Sequence, residues 1–216
     1  SGIPPSDEAI ARARVMMRAC AAHRPGPTKV ERVMSDIALP FFVVTGGPGS
    51  GKTTLIEALA RAGFTVAPEA GRGVIREQQA HGGRALPSVD PLAFAAAMLA
   101  RDLASYDAHR DAAGPVFFDR GIPDVVGYLR LEGVAVPADM LRAARAKRYR
   151  RPVFVCPPWP DIYVTDGERK QTPELAERTC RTMIETYDGF GYDLVEVPRA
   201  PVVARLSFVL ERIEAA

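Results

Sequence analysis

The chain has 216 residues, 47% of them hydrophobic and 25% charged, which allows one α/β domain with a buried core and leaves little room for a second. Its formal net charge of +2 does not indicate a nucleic-acid or membrane partner, and no apolar run approaches the roughly 20 residues of a transmembrane helix. The three cysteines are far apart and form no C-x-x-C pair, which argues against a disulfide framework or a zinc site and favours a cytoplasmic location.

Residues 1–38 are predicted to form an extension that precedes the domain. A short helix is expected from Asp7 to His23, and Pro25-Gly26-Pro27 would end it. This arm either packs on the domain surface or is partly foreign to the natural protein, since Ser1-Gly2 resembles the remnant of a cleaved tag. Residues 39–216 are predicted to form a single domain.

The first predicted strand leads directly into a glycine-rich loop. Residues 41–56 read FFVVTGGPGSGKTTLI, in which a strand signal precedes G-x-x-x-x-G-K-[ST] and a helical pattern follows it. Such a loop folds its N–H groups around phosphate at a helix N-terminus. We expect Lys52 to reach the β- and γ-phosphates of a nucleoside triphosphate, and Thr53 to ligate Mg²⁺. The predicted nucleotide-binding residues are Gly46, Gly47, Pro48, Gly49, Ser50, Gly51, Lys52, Thr53 and Thr54.

Strand and helix patterns alternate along the rest of the chain. Further strands are predicted at 64–67, 115–118, 152–156 and 192–197, and helices at 71–80, from 91 onward, near 123–131 and 137–148, at 173–187 and from 201 onward. Asp90-Pro91 and Thr172-Pro173 each place an N-cap residue before a proline at the first helical position. Five short apolar strands separated by helices indicate a parallel sheet covered on both faces, which binds ligands at the carboxyl ends of its strands.

Asp119 and Arg120 follow the third strand, at this ligand-binding edge. A carboxylate in the position of Asp119 organises Mg²⁺ in proteins with such a loop. Arg120 could hold an acceptor phosphate or neutralise the charge of the group being transferred. The alternative is a turn that only caps the next helix.

Glu69 follows the second strand, and Arg72 and Arg76 follow it at helical spacing. These residues are expected on one face, near the same site. Glu69 could accept the proton of an attacking hydroxyl or bind a sugar hydroxyl. Its alternative role is that of a first-turn glutamate that favours the helix dipole.

The polar stretch 157–172 after the fourth strand is predicted to be a lid that excludes water during group transfer. It carries Arg169 and Lys170, of which Arg169 is the better candidate for a phosphate contact. A solvated charge cluster is the alternative. Trp159 either packs or stacks on a ligand.

The sequence argues against two classes of nucleotide-binding protein, the GTPases and the ring-forming AAA+ motors. Asp124-Val125-Val126-Gly127 matches the D-x-x-G motif of GTPases, but it falls inside a predicted helix. The guanine-reading N-K-x-D motif cannot occur, because the chain contains no asparagine. No hydrophobic run ends in Asp-Glu, which argues against a ring-forming AAA+ motor.

Five stretches together resemble a family of small P-loop ATPases described as an AAA-type ATP-binding domain, which is closer to nucleoside and nucleotide kinases than to AAA+ motors. They are VVTGGPGSGKTTLIEAL, FTVAPEAGRGVI, VFFDRGIPDVVGYLRLEG, VFVCPPWPDIYVTDGERKQT and YDLVEVP. The resemblance covers about residues 39–213. It implies an α/β three-layer P-loop sandwich with a five-stranded parallel sheet of nucleotide-kinase-like type, ATP bound by residues 46–54, and Mg²⁺.

The resemblance also implies roles for single residues. Asp119 and Arg120 match the Asp-Arg element of thymidylate-kinase-like proteins. Glu69 matches the base of deoxynucleoside kinases, although Pro68-Glu69 reverses the expected Glu-Pro order. Arg169 falls in the lid, and the loop after Val197 is where such kinases hold adenine.

The sequence therefore favours an ATP- and Mg²⁺-dependent phosphotransferase with a small acceptor, a nucleoside or nucleotide. The predicted catalytic residues are Lys52, Glu69, Asp119, Arg120 and Arg169, the predicted acceptor-binding residues Glu69, Arg72, Arg76 and Arg120, and the predicted metal ligands Thr53 and Asp119. One alternative is a nucleotide-binding regulator with slow hydrolysis and a protein partner, and another is a P-loop domain without activity.

Overall fold

A computed structural model describes residues 39–160 and 172–214 of the chain. The predicted extension at 1–38 and most of the predicted lid, at 161–171, lie outside these ranges, so both stay predictions.

Five parallel strands form one sheet in the order β2-β3-β1-β4-β5. They are β1 Phe41–Gly46, β2 Thr65–Ala67, β3 Val116–Asp119, β4 Pro152–Cys156 and β5 Asp193–Glu196. In the central register, Val44 pairs with Asp119 on one side and with Phe154 on the other. The glycine-rich loop and Asp119 therefore leave the sheet side by side.

The helices begin close to the positions that the capping signals predict. They are α1 Lys52–Arg61, α2 Ala70–His81, α3 Pro91–Ala108, α4 Ile122–Leu131, α5 Ala138–Ala146, α6 Pro173–Gly189 and α7 Val202–Glu214. Asp90 Oδ1 accepts a hydrogen bond from Ala93 N at 2.9 Å, and Thr172 Oγ1 accepts one from Leu175 N at 3.3 Å. Both predicted N-caps are confirmed.

Side chains on the strands alternate between two apolar layers, as the pleat of a strand requires. Phe42 and Val44 pack on the side of α1 and α7, whereas Phe41 and Val43 pack on the side of α3 to α6. The predicted three-layer α/β sandwich is confirmed. Within the described ranges, every helix is too short or too polar to cross a membrane.

Candidate active site

The glycine-rich loop turns sharply between β1 and α1. Gly46 has a φ of 139° and Gly51, which precedes α1, a φ of 69°, both in the region that favours glycine. A Cβ atom added to Gly46 would lie 2.2 Å from the carbonyl oxygen of Cys156, so a side chain at this position would collide with β4. These features are those of a phosphate-binding turn at a helix N-terminus.

Ser50, within this loop, supplies a second indication of a ligand. Its hydroxyl is buried and has no hydrogen-bond partner in the part of the chain that the structure describes. Leaving a buried polar group unsatisfied costs about 1–3 kcal/mol. The loop therefore fits an anion that would accept this hydrogen bond, and the half-buried Thr53, the second residue of α1, follows the loop directly.

Lys52 and Asp119 form a buried ion pair in which Lys52 Nζ donates to Asp119 Oδ1. Lys52 begins α1 and Asp119 ends β3, so the sheet register brings them together. Within the described residues, no cluster of three or more His, Cys, Asp or Glu side chains could hold a metal. The donors available are the Thr53 hydroxyl and the Asp119 carboxylate. This set fits Mg²⁺, which takes few protein ligands and completes its shell with phosphate oxygens and water.

Arg120 adopts a backbone conformation that is rare for a residue with a side chain. Its φ is 70°, the only positive value for a non-glycine residue in the described ranges. Its guanidinium lies between two carboxylates, with Nε 3.3 Å from Glu69 Oε1 and Nη1 3.0 Å from Asp124 Oδ1. Burial disfavours its charge, but Asp124, Glu69 and Asp119 outweigh burial and raise the pKa of Arg120 above its ordinary value.

Glu69, at the start of α2, forms ion pairs with two arginines. Arg120 Nε lies 3.3 Å from its Oε1, and Arg72 Nε lies 3.2 Å from its Oε2. Burial alone would raise the pKa of Glu69, but the charges of Arg120, Lys52 and Arg72 outweigh it and lower that pKa. Glu69 is therefore ionised at neutral pH and can accept a hydrogen bond. Arg76 is exposed on α2, and among the described residues no ion pair or hydrogen bond links it to Glu69, Arg72 or Arg120.

Asp124, in the first turn of α4, connects Arg120 to the end of β1, where the glycine-rich loop begins. Its Oδ1 accepts hydrogen bonds from Thr45 Oγ1 at 2.6 Å and Arg120 Nη1 at 3.0 Å. Its Oδ2 accepts from Tyr187 OH at 2.6 Å and Gly121 N at 2.9 Å. Sequence reasoning placed Asp124 inside a helix, which is confirmed, but assigned it no role. Its spacing of one helical turn from Arg120 was the available signal.

Arg205, on α7, supports the loop and was also missed by sequence reasoning. It is 2% exposed, and its guanidinium donates to Gly51 O at 2.9 Å and to Ser50 O at 3.2 Å. It also contacts Cys156 Sγ at 3.1 Å. Burial raises the pKa of the Cys156 thiol to about 11, so this cysteine stays protonated. An arginine on the apolar stripe of α7 was the signal for a buried role.

We expect Arg205→Met to destabilise the fold by about 1.5–3 kcal/mol, the usual contribution of hydrogen bonds from a charged group. Because Ser50 O and Gly51 O would lose the guanidinium that donates to both of them, the KM for nucleotide should rise more than kcat falls. Arg212→Met on the exposed face of the same helix is the matched control, since the contacts of Arg212 among the described residues are local, with Phe208 O at 3.3 Å and with the Phe208 ring at 3.4 Å. Urea unfolding and nucleotide titration measure both effects. Equal behaviour of the two variants would contradict the supporting role.

The loops after β4 and β5 meet beside Arg205. Arg199 Nε donates to Pro158 O at 2.9 Å, and the guanidinium carbon of Arg205 lies 5.9 Å from the ring centroid of Trp159. Trp159 therefore packs next to the residue that supports the glycine-rich loop. Arg169 and Lys170 lie outside the described residues.

Comparisons with known proteins identify the family of the chain and its fold. A family model described as an AAA domain matches residues 41–205. A search of curated proteins found no match. Among solved structures, a thymidylate kinase from Ehrlichia chaffeensis is similar over 82% of this chain and 98% of its own, with 15% identity and a TM-score of 0.53.

Two further structures have the same fold. A thymidylate kinase from Candida albicans is similar over 82% of this chain and 92% of its own, with 13% identity and a TM-score of 0.58. The NadR protein in complex with NR is similar over 95% of this chain and 56% of its own, with 17% identity and a TM-score of 0.61. This chain thus spans little more than half of NadR. Since the family model covers well over half of the sequence, the chain belongs to the AAA domain family, with the P-loop fold of the nucleotide kinases.

Proposed function

We propose that the protein is an ATP- and Mg²⁺-dependent phosphotransferase whose acceptor is a small molecule, a nucleoside or nucleotide. The observation that carries this proposal is a second set of charged side chains beside the phosphate-binding loop. Lys52, Thr53 and Asp119 would serve a bound nucleoside triphosphate. Glu69, Arg72 and Arg120 form a further set that hydrolysis by water would not require.

The acceptor class is supported by the fold neighbours. Two of them are thymidylate kinases, and the third was crystallised with NR. Their sequences are distant from this one, so they support a class of acceptor and not a particular compound.

Each residue has a role that follows from its chemistry. Thr53 and Asp119 would hold Mg²⁺, which, when bound, neutralises charge on the β- and γ-phosphates. Lys52 would move from Asp119 to the phosphates. Glu69 would orient an acceptor hydroxyl as hydrogen-bond acceptor, and Arg120 would neutralise charge on the group in transfer.

The acceptor oxygen forms a bond to the γ-phosphorus, the bond from that phosphorus to the β,γ-bridging oxygen breaks, and ADP leaves. The proton of an acceptor hydroxyl passes to Glu69 and then to water. With a phosphate acceptor no proton needs to move, and Arg72, which is largely exposed, is placed to contact it.

The test is ADP release from Mg·ATP across a panel of nucleosides, nucleotides and phosphorylated sugars, each beside a blank without acceptor. We expect one acceptor class to stimulate release about tenfold or more, which is ~1.4 kcal/mol of activation free energy. Asp119→Asn should lower the stimulated rate about 10²-fold, because a bound metal contributes several kcal/mol to such steps. Nucleotide binding should largely persist in this variant.

Slow ADP release that no panel member changes would contradict the proposal. It would support instead a nucleotide-binding regulator with slow hydrolysis and a protein partner. Unchanged transfer by Asp119→Asn would remove Asp119 from the metal site.

A further inference from the structure

Asp102 on α3 is a buried carboxyl group that the proposed transfer does not use. It is only 9% exposed, and it forms no hydrogen bond or ion pair with any residue in the ranges 39–160 and 172–214. Most buried polar side chains in folded proteins have a partner, because desolvation without one is unfavourable by several kcal/mol. The position of Asp102 therefore requires a reason beyond packing.

The face of α3 that carries Asp102 borders the acceptor side of the site. Phe94, Met98 and Asp102 follow one another at four-residue spacing and so share a helix face. A Cβ atom added to Gly71 would lie 3.3 Å from Met98 Sδ, 3.6 Å from Phe94 Cζ and 3.7 Å from Glu69 Oε1. This face of α3 thus meets the start of α2 where Glu69 lies.

The charged groups already placed in the site balance without Asp102. The cations Lys52, Arg72 and Arg120 contact the carboxylates Glu69, Asp119 and Asp124, three of each sign. A fourth carboxylate here would be buried without compensation, and such groups take up a proton instead. The charge count therefore favours the neutral form of Asp102.

Burial and the carboxylates that face Asp102 also favour its neutral form. Burial, then the carboxylates of Asp124 on α4 and Glu69 before α2, raise the pKa of Asp102 to about 8, although Arg120 opposes them. Tyr149 is the other titratable group near it, and burial and Asp102 hold the pKa of Tyr149 well above its ordinary value.

We propose that Asp102 binds the acceptor in its neutral, protonated form, in which its carboxylic acid group donates one hydrogen bond and accepts another. The complementary ligand is one with an N–H next to a carbonyl oxygen, as on the lactam edge of a nucleobase or on a carboxamide. Met98, half-buried on the same helix face, supplies apolar surface for the ring. This inference rests on the proposed function, since it names the acceptor chemistry of the same site.

Two substitutions separate this role from its rivals. Asp102→Asn keeps one donor and one acceptor, so it should bind the acceptor within about threefold of the unaltered protein. Asp102→Leu removes both and should weaken binding about tenfold or more, with kcat at saturating acceptor changed less than threefold. Asp107→Asn, an exposed position on the same helix that pairs with Lys147, is the control and should change nothing.

The probes are uridine and N3-methyluridine, and inosine and N1-methylinosine, measured by calorimetry with Mg·ADP present. In each pair the methyl group removes the lactam donor, so the unaltered protein should bind the methylated member about tenfold or more weakly. Binding with ADP requires no transfer. Loss of probe binding in Asp102→Leu would therefore support the inference even if no acceptor stimulated ADP release.

The dependence on pH gives a further readout. From pH 6.5 to 8.5 the affinity of the unaltered protein for uridine should fall as Asp102 loses its proton, whereas Asp102→Asn should show no such fall. Without ligand, the folded chain keeps this proton between about pH 4 and 8 while the unfolded chain has released it. Stability therefore decreases as pH rises through this window, and the gain in Tm from Asp102→Asn should grow between pH 5 and pH 8.

Several outcomes would overturn the inference. If Asp102→Leu bound uridine as tightly as the unaltered protein, Asp102 would be structural only. If Asp102→Asn lost as much affinity for uridine as Asp102→Leu, a neutral donor–acceptor pair would not be what binds the probe. Failure of every lactam probe to bind, or a gain in Tm from Asp102→Asn that did not depend on pH, would equally contradict it.

Discussion

Replacement of Lys52 by methionine is expected to lower kcat for ATP turnover by about 10²–10³-fold, the usual effect of removing one preorganised charge-stabilising donor. Lys52 is buried at the start of α1, directly after the glycine-rich loop, and its ammonium group pairs with Asp119, from which it would move to the phosphates. Steady-state ADP release at saturating nucleotide measures the effect. A variant that kept more than a tenth of the turnover would place the phosphate site elsewhere.

The same substitution leaves Asp119 buried without its partner. Breaking a buried ion pair from one side typically costs about 3–5 kcal/mol of stability. The double variant Lys52→Met/Asp119→Asn removes both charges and should recover much of that stability while remaining inactive. Thermal unfolding of the single and double variants thus distinguishes a catalytic loss from a folding loss.

Asp124→Asn is expected to have the second largest effect, through the geometry of its four hydrogen bonds. Thr45 and Tyr187 have hydroxyls that can turn and accept, but Gly121 N–H and the Arg120 guanidinium can only donate. Each of these fixed donors faces a different oxygen of Asp124. Either orientation of the amide therefore sets its NH₂ against a fixed donor.

We expect Asp124→Asn to lose about 1.5–3 kcal/mol of stability, the contribution of hydrogen bonds to a charged group. Arg120 would lose its anchor as well, and a misplacement of about 1 Å can reduce kcat about 10²-fold. Asp188→Asn, at an exposed position on α6, should stay within about 0.5 kcal/mol. Urea unfolding and the acceptor-stimulated rate measure the two quantities. Equal stability of the two variants would show that Asp124 is not the connection described.

The elements of the fold could be predicted from sequence because their signals are local. The N-caps Asp90 and Thr172, each followed by proline, predicted the starts of α3 and α6, and β4 at Pro152–Cys156 was predicted to the residue. The ends of β5 were predicted less well, because this strand covers only Asp193–Glu196 whereas the apolar pattern predicted 192–197. Here the apolar run extends past the ladder into the loops.

The long-range part of the site could not be predicted in the same way. Asp124, Arg205 and Asp102 all lie on helices whose pattern indicates only an amphipathic segment, and a charged residue in such a segment is usually solvated. Their partners are 79 residues away for Asp124 and Thr45, and 154 for Arg205 and Gly51. No motif encodes such distances. The clue in all three cases is a charge that falls among apolar residues on the buried face.

The backbone of Arg120 has a consequence for how this protein would respond to laboratory evolution. At a φ of 70° a glycine would relieve about 1–3 kcal/mol of conformational strain, while an alanine would keep that strain and lose the guanidinium. Glycine would also leave Asp124 buried without its cation and Glu69 with Arg72 alone, and breaking a buried ion pair from one side costs about 3–5 kcal/mol, more than the strain relieved. Selection for heat resistance and selection for turnover would therefore both keep arginine at position 120, and the strained backbone would persist in every stabilised variant.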